Sequence, residues 1–341
     1  MKRGQSGLSL VIAVDKPSGK TSHDVVDACR KIFGERRVGH TGTLDPLASG
    51  VLPICIGNAT RLSNYMTQDV KQYVATIAFG ASTTTNDSEG EVTHTASPAA
   101  KLFDSAFAKE YLHSILGKQM QIPPAYSAIK IAGKKACDSA RKGVMLNLKP
   151  RPIEIFEANL LDIRPCGQRG FLEWDVAFKV SKGTYIRSIA RDAGNALNCP
   201  THMSALRRTS SGLITLENCV SLDALKKLRC KAAIDPVAIL GNRIVFANKA
   251  IEYLMKGGRP LAVHGLNLYE FATSFEYNRN SGMCGCIPNI IKTTTAPLDG
   301  ELFSIVKRNK LAAIYKFDSE KECLKAQCVF HNGVSRGSSN I

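Results

Sequence analysis

The alternation of apolar and polar positions predicts several strands in the first two thirds of the chain. An apolar run, LSLVIAV, ends at Asp15 and Lys16 and predicts a buried first strand. Residues 73–79 and 172–180 place an apolar side chain at every second position, which is typical of half-buried strands. Another apolar run, VLPICIG, follows the loop GHTGTLDPLASG and predicts a further strand.

Three other segments have apolar residues at helical spacing. The first lies in residues 22–33, where Thr21 or Ser22 can cap the helix and Gly34 can end it. The second is DSAFAKEYLHSILG, and the third is TYIRSIARDAGNAL, which directly follows the strand ending at residue 180. Strands and helices therefore mix without a strict repeat, which predicts an α+β domain with a mixed, largely antiparallel sheet flanked by helices.

Near residue 232 the sequence changes character. Short strand-like segments, GNRIVFA, ELFSIVKR and LAAIYKF, now alternate with polar loops. We therefore predict a first domain over residues 1–232 and a small, mostly β C-terminal domain over residues 233–330. The last segment, HNGVSRGSSNI, predicts a disordered tail over residues 331–341.

Charge and cysteine usage narrow the class of protein. The 341 residues include 45 Lys plus Arg against 29 Asp plus Glu, a formal net charge of +16. Such a charge fits a polyanionic partner, although a solubilising basic surface explains it equally well. Eleven scattered cysteines, an odd number, indicate reduced thiols and a cytoplasmic location rather than a disulfide framework.

Two further classes are disfavoured by the sequence. No run of 18 apolar residues predicts a membrane helix, and the N-terminal apolar run is too short, and lacks the cleavage site, for a signal peptide. Cys284, Cys286, Cys323 and Cys328 lack the paired spacing of zinc ribbons, so we expect no metal.

The loop GHTGTLDPLASG contains one carboxylate, Asp45, between Leu44 and Pro46. By itself Leu-Asp-Pro is a common turn element, because Asp binds its own backbone and Pro presets φ. No second acid stands close enough in sequence for a hydrolytic pair. No phosphate-binding glycine motif occurs at a strand–helix junction. Read alone, the loop predicts a turn.

Further segments change that interpretation. They are Lys71-Gln72-Tyr73, ASTTTNDSEGE, QIPPAYSAIKIAGKKACDSARKG, SKGTYIRSIARDAG and ALRRTSSGL. Together with the GHTGTLDP loop they resemble the motifs of the TruB family of tRNA pseudouridine synthases, in the family's order and at about its spacing, over residues 9–225. The resemblance implies the pseudouridine synthase fold. The sequence departs from the family pattern at Cys137, where an aromatic residue is usual, which affects our expectation of local packing only.

The resemblance implies a catalytic aspartate, here Asp45. The family isomerises the T-loop uridine at position 55 of tRNA to pseudouridine, by breaking the bond from uracil N1 to the ribose and rejoining the base through C5. The reaction needs no cofactor and no metal. Nucleophilic attack and elimination both remain open as the route for Asp45, and both require an ionised carboxylate. The family's arginine, here Arg187, would hold that charge.

The resemblance assigns roles to three ring side chains. Tyr73 would stack on the flipped base, whose extrusion costs a few kcal/mol. Tyr185 would lie beside the base and assist proton transfer from C5 or position the ring. His40 would enter the T loop and fill the space that flipped bases leave.

Basic residues in or beside the motifs are candidate contacts to tRNA phosphates. They are Lys16, Lys20, Arg61, Lys71, Lys130, Arg141, Lys182, Arg207 and Arg208.

The resemblance also implies the partner, which is tRNA, contacted at its T arm and elbow. The C-terminal domain weakly resembles the PUA-like RNA-binding domain of bacterial TruB enzymes. We expect a monomer with no obligate protein partner and no membrane association. Two alternatives remain: a tRNA-folding chaperone on the same scaffold, and the catalytic subunit of a guide-RNA-dependent complex. The chaperone would not need Asp45, Tyr73, Tyr185 and Arg187, and the sequence lacks the extensions of the guide-dependent relatives.

Overall fold

The computed structural model describes residues 6–67, 70–127, 129–131, 134–136, 140, 142–144, 146–167, 171–272 and 290–337. The chain divides into two compact units. The first comprises Met1–Asp45, Gly50–Gln68 and Gly212–Ile341, and the second comprises Pro46–Ser49 and Asp69–Ser211. Each unit is built from separate segments of the chain, and neither begins or ends at residue 232 or 330. The domain boundaries predicted at those residues stay predictions.

The described residues form helices and strands in irregular alternation. The α-helices are α1 (Ser22–Phe33), α2 (Ser63–Met66), α3 (Ser105–Ser114), α4 (Ile186–Leu197), α5 (Leu222–Leu228), α6 (Pro236–Leu240) and α7 (Lys249–Lys256). Short 3-10 helices cover Asn58–Leu62, Ala100–Phe103, Leu216–Asn218 and Arg229–Ala232. The strands are β1 (Ser9–Lys16), β2 (Val38–His40), β3 (Ser49–Gly57), β4 (Lys71–Phe79), β5 (Ala81–Thr83), β6 (Val92–Thr95), β7 (Gly117–Gln121), β8 (Lys130–Ile131), β9 (Lys134–Lys135), β10 (Arg151–Cys166), β11 (Phe171–Val180), β12 (Thr201–Ser211), β13 (Ile214–Thr215), β14 (Cys219–Val220), β15 (Ala233–Ile234), β16 (Arg243–Phe246), β17 (Leu261–Ala262), β18 (Leu268–Phe271), β19 (Ile290–Thr293), β20 (Leu302–Lys307), β21 (Lys310–Asp318) and β22 (Cys323–Ser335).

In the first unit, β1 pairs along its whole length with β3 in antiparallel register, Ser9 opposite Gly57 and Lys16 opposite Gly50. Strand β2 adds to β3, and β14 and β15 add to β1. A second sheet in this unit has the order β17-β22-β21-β20-β16-β18-β19. It contains the three C-terminal segments predicted as strands. Buried apolar residues of both sheets, among them Val11, Cys55 and Ile314, belong to one hydrophobic cluster.

In the second unit, antiparallel strands follow the order β12-β4-β11-β10-β7. Trp174 on β11 is fully buried, its ring centroid lies 4.5 Å from that of Phe79, and its indole N–H donates to the Leu102 carbonyl at 2.9 Å. Helix α4 is tied to β12, because the Thr201 hydroxyl donates to the Ala190 carbonyl at 2.6 Å. The sheet and α4 together carry most of the residues predicted from the later motifs.

The start of α1 shows how local sequence fixes a helix. The Thr21 hydroxyl accepts from the Asp24 N–H at 3.0 Å, while the Thr21 N–H and hydroxyl both donate to the Asp24 carboxylate. These hydrogen bonds from Thr21 hold the pKa of Asp24 below its ordinary value. At the other end Gly34 takes a left-handed φ of 61°, as a C-terminal glycine does. The predicted helix is confirmed at both ends.

Two of the longest strands, β10 and β12, were not predicted. Both contain bulges: the register of β10 against β11 shifts between Ile155 and Glu157 and again between Leu160 and Asp162. The register of β12 against β4 shifts twice as well. Each extra residue moves the following side chains to the other face, so the period of two is lost in the sequence.

The predicted disordered tail is wrong for residues 331–337. Strand β22 runs to Ser335, and the next residue, Arg336, binds the Asp235 carboxylate through Nε at 2.9 Å and Nη2 at 2.6 Å. Both side chains are nearly buried, with 7% and 12% of their surface exposed. Local composition could not show this pairing, because its two partners are about a hundred residues apart. Residues 338–341 lie outside the described part.

We predict that Arg336→Met lowers the free energy of unfolding by about 3 kcal/mol, because it removes the cation from a nearly buried carboxylate that also caps α6. Urea denaturation measures the change. The control is Lys226→Met, which removes an exposed ion pair with Asp223 and should change stability by less than about 1 kcal/mol. Equal effects of the two variants would contradict the prediction.

Candidate active site

The loop that contains Asp45 connects β2 with β3. Its first residue is fixed to the sheet, since the Thr41 N–H donates to the Pro53 carbonyl at 3.2 Å. Asp45 follows in the middle of the loop and is half-buried. The lone acid thus lies in a hairpin loop that begins and ends on paired strands.

A serine of α1 fixes the residue before Asp45. The Ser22 hydroxyl accepts from the Leu44 N–H at 2.8 Å and donates to the Leu44 carbonyl at 3.0 Å. Ser22 is 3% exposed and is the first residue of α1. The sequence indicated Ser22 only as a possible cap, and no local pattern pointed to a bond across 22 residues.

His40 lies at the end of β2 and is half-buried. Its Nδ1 atom accepts from the Gly42 N–H at 3.3 Å. A pocket of about 860 Å³ opens beside it. The residues that line this arginine pocket are Arg30, Arg36, Arg37, Val38, Gly39, His40, Cys55, Asn58, Thr60 and Ser63.

The arginine pocket carries positive charge. Arg37 donates to two neutral acceptors, Thr60 Oγ1 at 2.8 Å and Asn58 Oδ1 at 2.9 Å. Arg30 is paired with Asp27 at 2.7 Å, and Arg36 is exposed. No described lining residue is acidic. The pocket therefore favours an anion, and the sequence analysis missed its three arginines because none belongs to a quoted motif.

In the second unit, Arg187 is buried at the start of α4. Its Nη1 atom lies 3.2 Å from Asp87 Oδ2 and donates to the Thr85 carbonyl at 3.2 Å, while Nη2 donates to the Tyr126 carbonyl at 2.9 Å. A cation is disfavoured at a helix N-terminus, and the first turn of α4 has no acidic residue. Asp87 supplies the opposing charge.

Asp87 is itself fixed by its neighbours. The Thr85 hydroxyl donates to its carboxylate, the Glu89 N–H donates to it at 3.1 Å, and 3% of its side chain is exposed. It belongs to ASTTTNDSEGE, a segment on which the resemblance partly rests, yet the sequence analysis assigned no role to any residue there. The segment contains three acids, Asp87, Glu89 and Glu91, and nothing in the local sequence distinguished Asp87 from the other two.

The two tyrosines lie on different elements. Tyr73 is 7% exposed on β4, with Phe178 opposite it on β11 and Arg208 opposite it on β12. Tyr185 is half-buried and is the N-cap residue of α4, two positions before Arg187. The structure therefore brings Tyr185, Arg187 and Asp87 together at one helix end.

Three of the predicted phosphate contacts fall at buried residues, and they stay predictions. Lys16 is completely buried, and its ammonium donates to the carbonyls of Pro17 at 2.9 Å and Lys20 at 2.5 Å. Lys71 and Arg208 are also buried, with 8% and 1% exposed. Basic residues beside a motif were taken as surface residues, but strand ends can direct a long side chain inward.

The other basic residues differ in exposure. Lys20 and Lys182 are exposed. Arg61 is exposed as well, but its guanidinium donates to the Val329 carbonyl at 2.6 Å and lies over the Phe330 ring. Arg207 is partly buried and donates to Ser49 Oγ at 3.3 Å.

Some predictions fall beyond what the structure describes. Arg141, Cys137, Cys284 and Cys286 lie outside the described residues, and Lys130 is described only as part of β8. Within the described ranges no cluster of His, Cys, Asp or Glu is arranged to hold a metal ion. None of the helices in those ranges is long and apolar enough to cross a membrane.

Two models of one protein family match residues 30–239 of this chain. Residues 30–186 match "TruB family pseudouridylate synthase (N terminal domain)", and residues 187–239 match "tRNA pseudouridylate synthase B C-terminal domain". The chain is 41% identical over 258 residues to the tRNA pseudouridine synthase B of Mycobacterium sp. (strain KMS), covering 75% of this chain and 86% of that protein. It is 44% identical over 257 residues to the protein of the same name from Mycobacteroides abscessus, covering 75% and 85%.

Two solved structures share the fold. An H/ACA RNP bound to a substrate RNA containing 2'-deoxyuridine aligns with a TM-score of 0.63 at 22% identity, over 96% of this chain and 87% of that one. A Cbf5-Nop10-Gar1 complex aligns with a TM-score of 0.62 at 24% identity, over 97% and 86%. At these identities the likeness concerns the fold alone.

We predict that Asp87→Asn lowers the free energy of unfolding by about 3 kcal/mol, because it removes a buried charge that faces the Arg187 guanidinium. Asp192→Asn is the matched control: Asp192 pairs with Arg191 on the same helix but is 48% exposed, so the loss should stay below about 1 kcal/mol. Chemical denaturation followed by circular dichroism compares them. If Asp87→Asn lowers the free energy of unfolding no more than Asp192→Asn does, the buried pair does not stabilise the unit.

Proposed function

The chain belongs to the TruB family of pseudouridylate synthases, and we propose that it isomerises the T-loop uridine at position 55 of tRNA to pseudouridine. One observation carries the proposal: relatives named tRNA pseudouridine synthase B match at 41–44% identity across most of their length and of this chain. The matched region includes Asp45, Tyr73 and Tyr185. The protein is thus an enzyme of the isomerase class.

In the proposed reaction Asp45 is the catalytic carboxylate. The bond between uracil N1 and the ribose C1′ breaks, the base turns, a bond forms from C5 to C1′, and the C5 proton is lost while N1 gains one. Nothing is oxidised or reduced, so no redox cofactor enters the balance. The carboxylate acts in its ionised form, either on the sugar or on the base. Ser22 supports this role by fixing the backbone of Leu44, the preceding residue.

The ring side chains would compensate for opening the T loop. Extrusion of a uridine costs a few kcal/mol, and stacking on an aromatic ring recovers about 1–3 kcal/mol per base. Tyr73 is proposed to supply that ring. Tyr185 is proposed to lie beside the base during the late proton transfer, and His40 to occupy the space left in the RNA. The half-buried state of Tyr185 and His40 leaves part of each ring available for contact.

The arginine pocket supports an RNA partner. A phosphodiester is an anion whose oxygens accept several hydrogen bonds, and arginine is the residue that binds such groups most specifically. Arg36 is exposed at the pocket and next to Arg37, five residues before Thr41, the first residue of the loop that contains Asp45. We propose that the pocket binds a backbone phosphate of the tRNA. Lys20, Lys182, Arg61 and Arg207 remain candidates for further phosphate contacts.

We propose further that the protein acts as a cytoplasmic monomer on tRNA alone. The two alternatives, a tRNA-folding chaperone and a guide-RNA-dependent subunit, have less support. A tRNA-folding chaperone has no need of a carboxylate in the loop. A guide-RNA-dependent subunit is suggested only by structures that share the fold at less than 25% identity. A C-terminal RNA-binding role for residues 233–330 likewise stays a proposal.

We predict that Asp45→Asn abolishes turnover, with a loss of more than about a thousandfold, and keeps the tRNA dissociation constant within about threefold, because the amide cannot act as an anionic catalyst. Unmodified tRNA is incubated with each protein, and pseudouridine is mapped by carbodiimide reactivity. Asp223→Asn changes an exposed acid and serves as the control. Absence of product with the unaltered protein would contradict the enzyme and favour the chaperone. Turnover by Asp45→Asn would exclude Asp45 as the catalyst.

We predict that Arg36→Gln weakens tRNA binding and reduces the slope of log Kd against log salt by about 1, because one phosphate contact is lost. The rate at saturating tRNA should not change. Lys109→Gln removes the same charge from the exposed face of α3 and should leave the slope unaltered. Filter binding between about 50 and 200 mM salt measures both variants. An unchanged slope for Arg36→Gln would place the phosphate elsewhere.

A further inference from the structure

A buried glutamine binds the backbone of Tyr185 on both sides. Gln121 is the last residue of β7, and 4% of it is exposed. Its Oε1 atom accepts from the Tyr185 N–H at 2.9 Å, and its Nε2 atom donates to the Tyr185 carbonyl at 3.1 Å. Both ends of the side-chain amide are therefore used by one residue, 64 positions away in the sequence.

This bridge binds the N-cap residue of α4 but is not the usual helix cap, because neither of its two bonds reaches an N–H group of the first turn. Helix N-terminal N–H groups need acceptors, and Ser, Thr, Asp or Asn normally supply one from the N-cap position. The N-cap residue here is Tyr185, whose side chain makes no capping hydrogen bond. Gln121 binds the backbone of this N-cap residue from outside the helix.

The residues after Gln121 bind the first turns of the same helix. The Ile122 carbonyl accepts from the Ser188 hydroxyl at 2.9 Å and from Arg191 Nη2 at 2.9 Å, and the Tyr126 carbonyl accepts from Arg187 Nη2 at 2.9 Å. Pro123 and Pro124 lie between these acceptors and fix φ there. A stiff segment thus holds the backbone of Tyr185 and the side chain of Arg187.

The other end of the Tyr185 loop is fixed to the neighbouring strand. The Ser181 N–H donates to the Glu154 carbonyl at 2.9 Å, and the Glu154 N–H donates to Ser181 Oγ at 2.8 Å. Glu154 lies on β10, which pairs with β7. Residues 181–185 are therefore held at both ends by adjacent strands, and Gln121 provides side-chain bonds at the Tyr185 end.

We propose that Gln121 is a positioning residue for the isomerisation, which sets the place of the Tyr185 ring and of the Arg187 guanidinium through the Tyr185 backbone. The inference rests on the proposed function. A buried amide that merely filled space would cost free energy unless bonded, and here both of its polar atoms bind the residue to which a catalytic role is proposed. A displacement of about 1 Å at a reacting group can cost about a hundredfold in rate.

The test separates positioning from packing. Gln121→Met keeps the length and approximate volume of the side chain and removes both hydrogen bonds. Gln119→Met makes the same change two residues earlier on β7, at an exposed position. The measurements are the single-turnover rate at saturating tRNA, the tRNA dissociation constant, the melting temperature, and hydrogen–deuterium exchange of residues 181–188.

Gln121→Met is expected to slow the single-turnover rate by about 10- to 100-fold, with the dissociation constant within about threefold. Exchange over residues 181–188 should rise, while Gln119→Met resembles the unaltered protein in all measurements. Gln121→Ala should slow the single-turnover rate as much as Gln121→Met does. Its melting temperature should fall further, since the shorter side chain also leaves a cavity. A wild-type rate for Gln121→Met, or a loss explained wholly by its unfolded fraction or its affinity, would overturn the proposal. If the unaltered protein forms no pseudouridine, the proposed function fails, and unchanged exchange in Gln121→Met would separately refute the positioning role.

Discussion

The start of α4 has to hold a positive charge where a helix disfavours one, and much of the second unit is arranged around that requirement. Arg187 lies in the first turn, its guanidinium is almost fully buried, and the helix end already carries a partial positive charge. The charge is tolerated because Asp87 faces it and because two backbone carbonyls accept its N–H groups. Those acceptors come from the turn at residue 85 and from the segment at residue 126.

The functional segments are held mainly through their backbones. The hydroxyl of Ser22 binds both backbone groups of Leu44, and the amide of Gln121 binds both backbone groups of Tyr185. Each bridge comes from a buried side chain on a regular element. The Ser22 bridge ends one residue before Asp45, and the Gln121 bridge ends on Tyr185 itself.

The basic residues do not all lie on one uniform surface. Lys16 is completely buried and holds the turn after β1. The arginine pocket instead is lined by three arginines, of which Arg30 is paired with Asp27 and Arg37 donates to two neutral acceptors. A net charge of +16 therefore includes structural cations as well as those available to RNA. Lys16 is an example of a structural cation, since its buried ammonium donates to two backbone carbonyls.

The sequence by itself determined the local elements and the family. Thr21, Asp24 and Gly34 define α1, and strict alternation defines β4 and β11, because these features depend on neighbouring residues only. The motifs around Asp45 and Arg187 carried the resemblance, and through it the expected chemistry. Tertiary structure alone decided the rest: the bulged strands β10 and β12, the ordered residues 331–337, the partner Asp87, the arginine pocket, and the bridges from Ser22 and Gln121. Each of these depends on a register shift or on a contact between residues far apart in the chain, and neither leaves a periodic signal in the sequence.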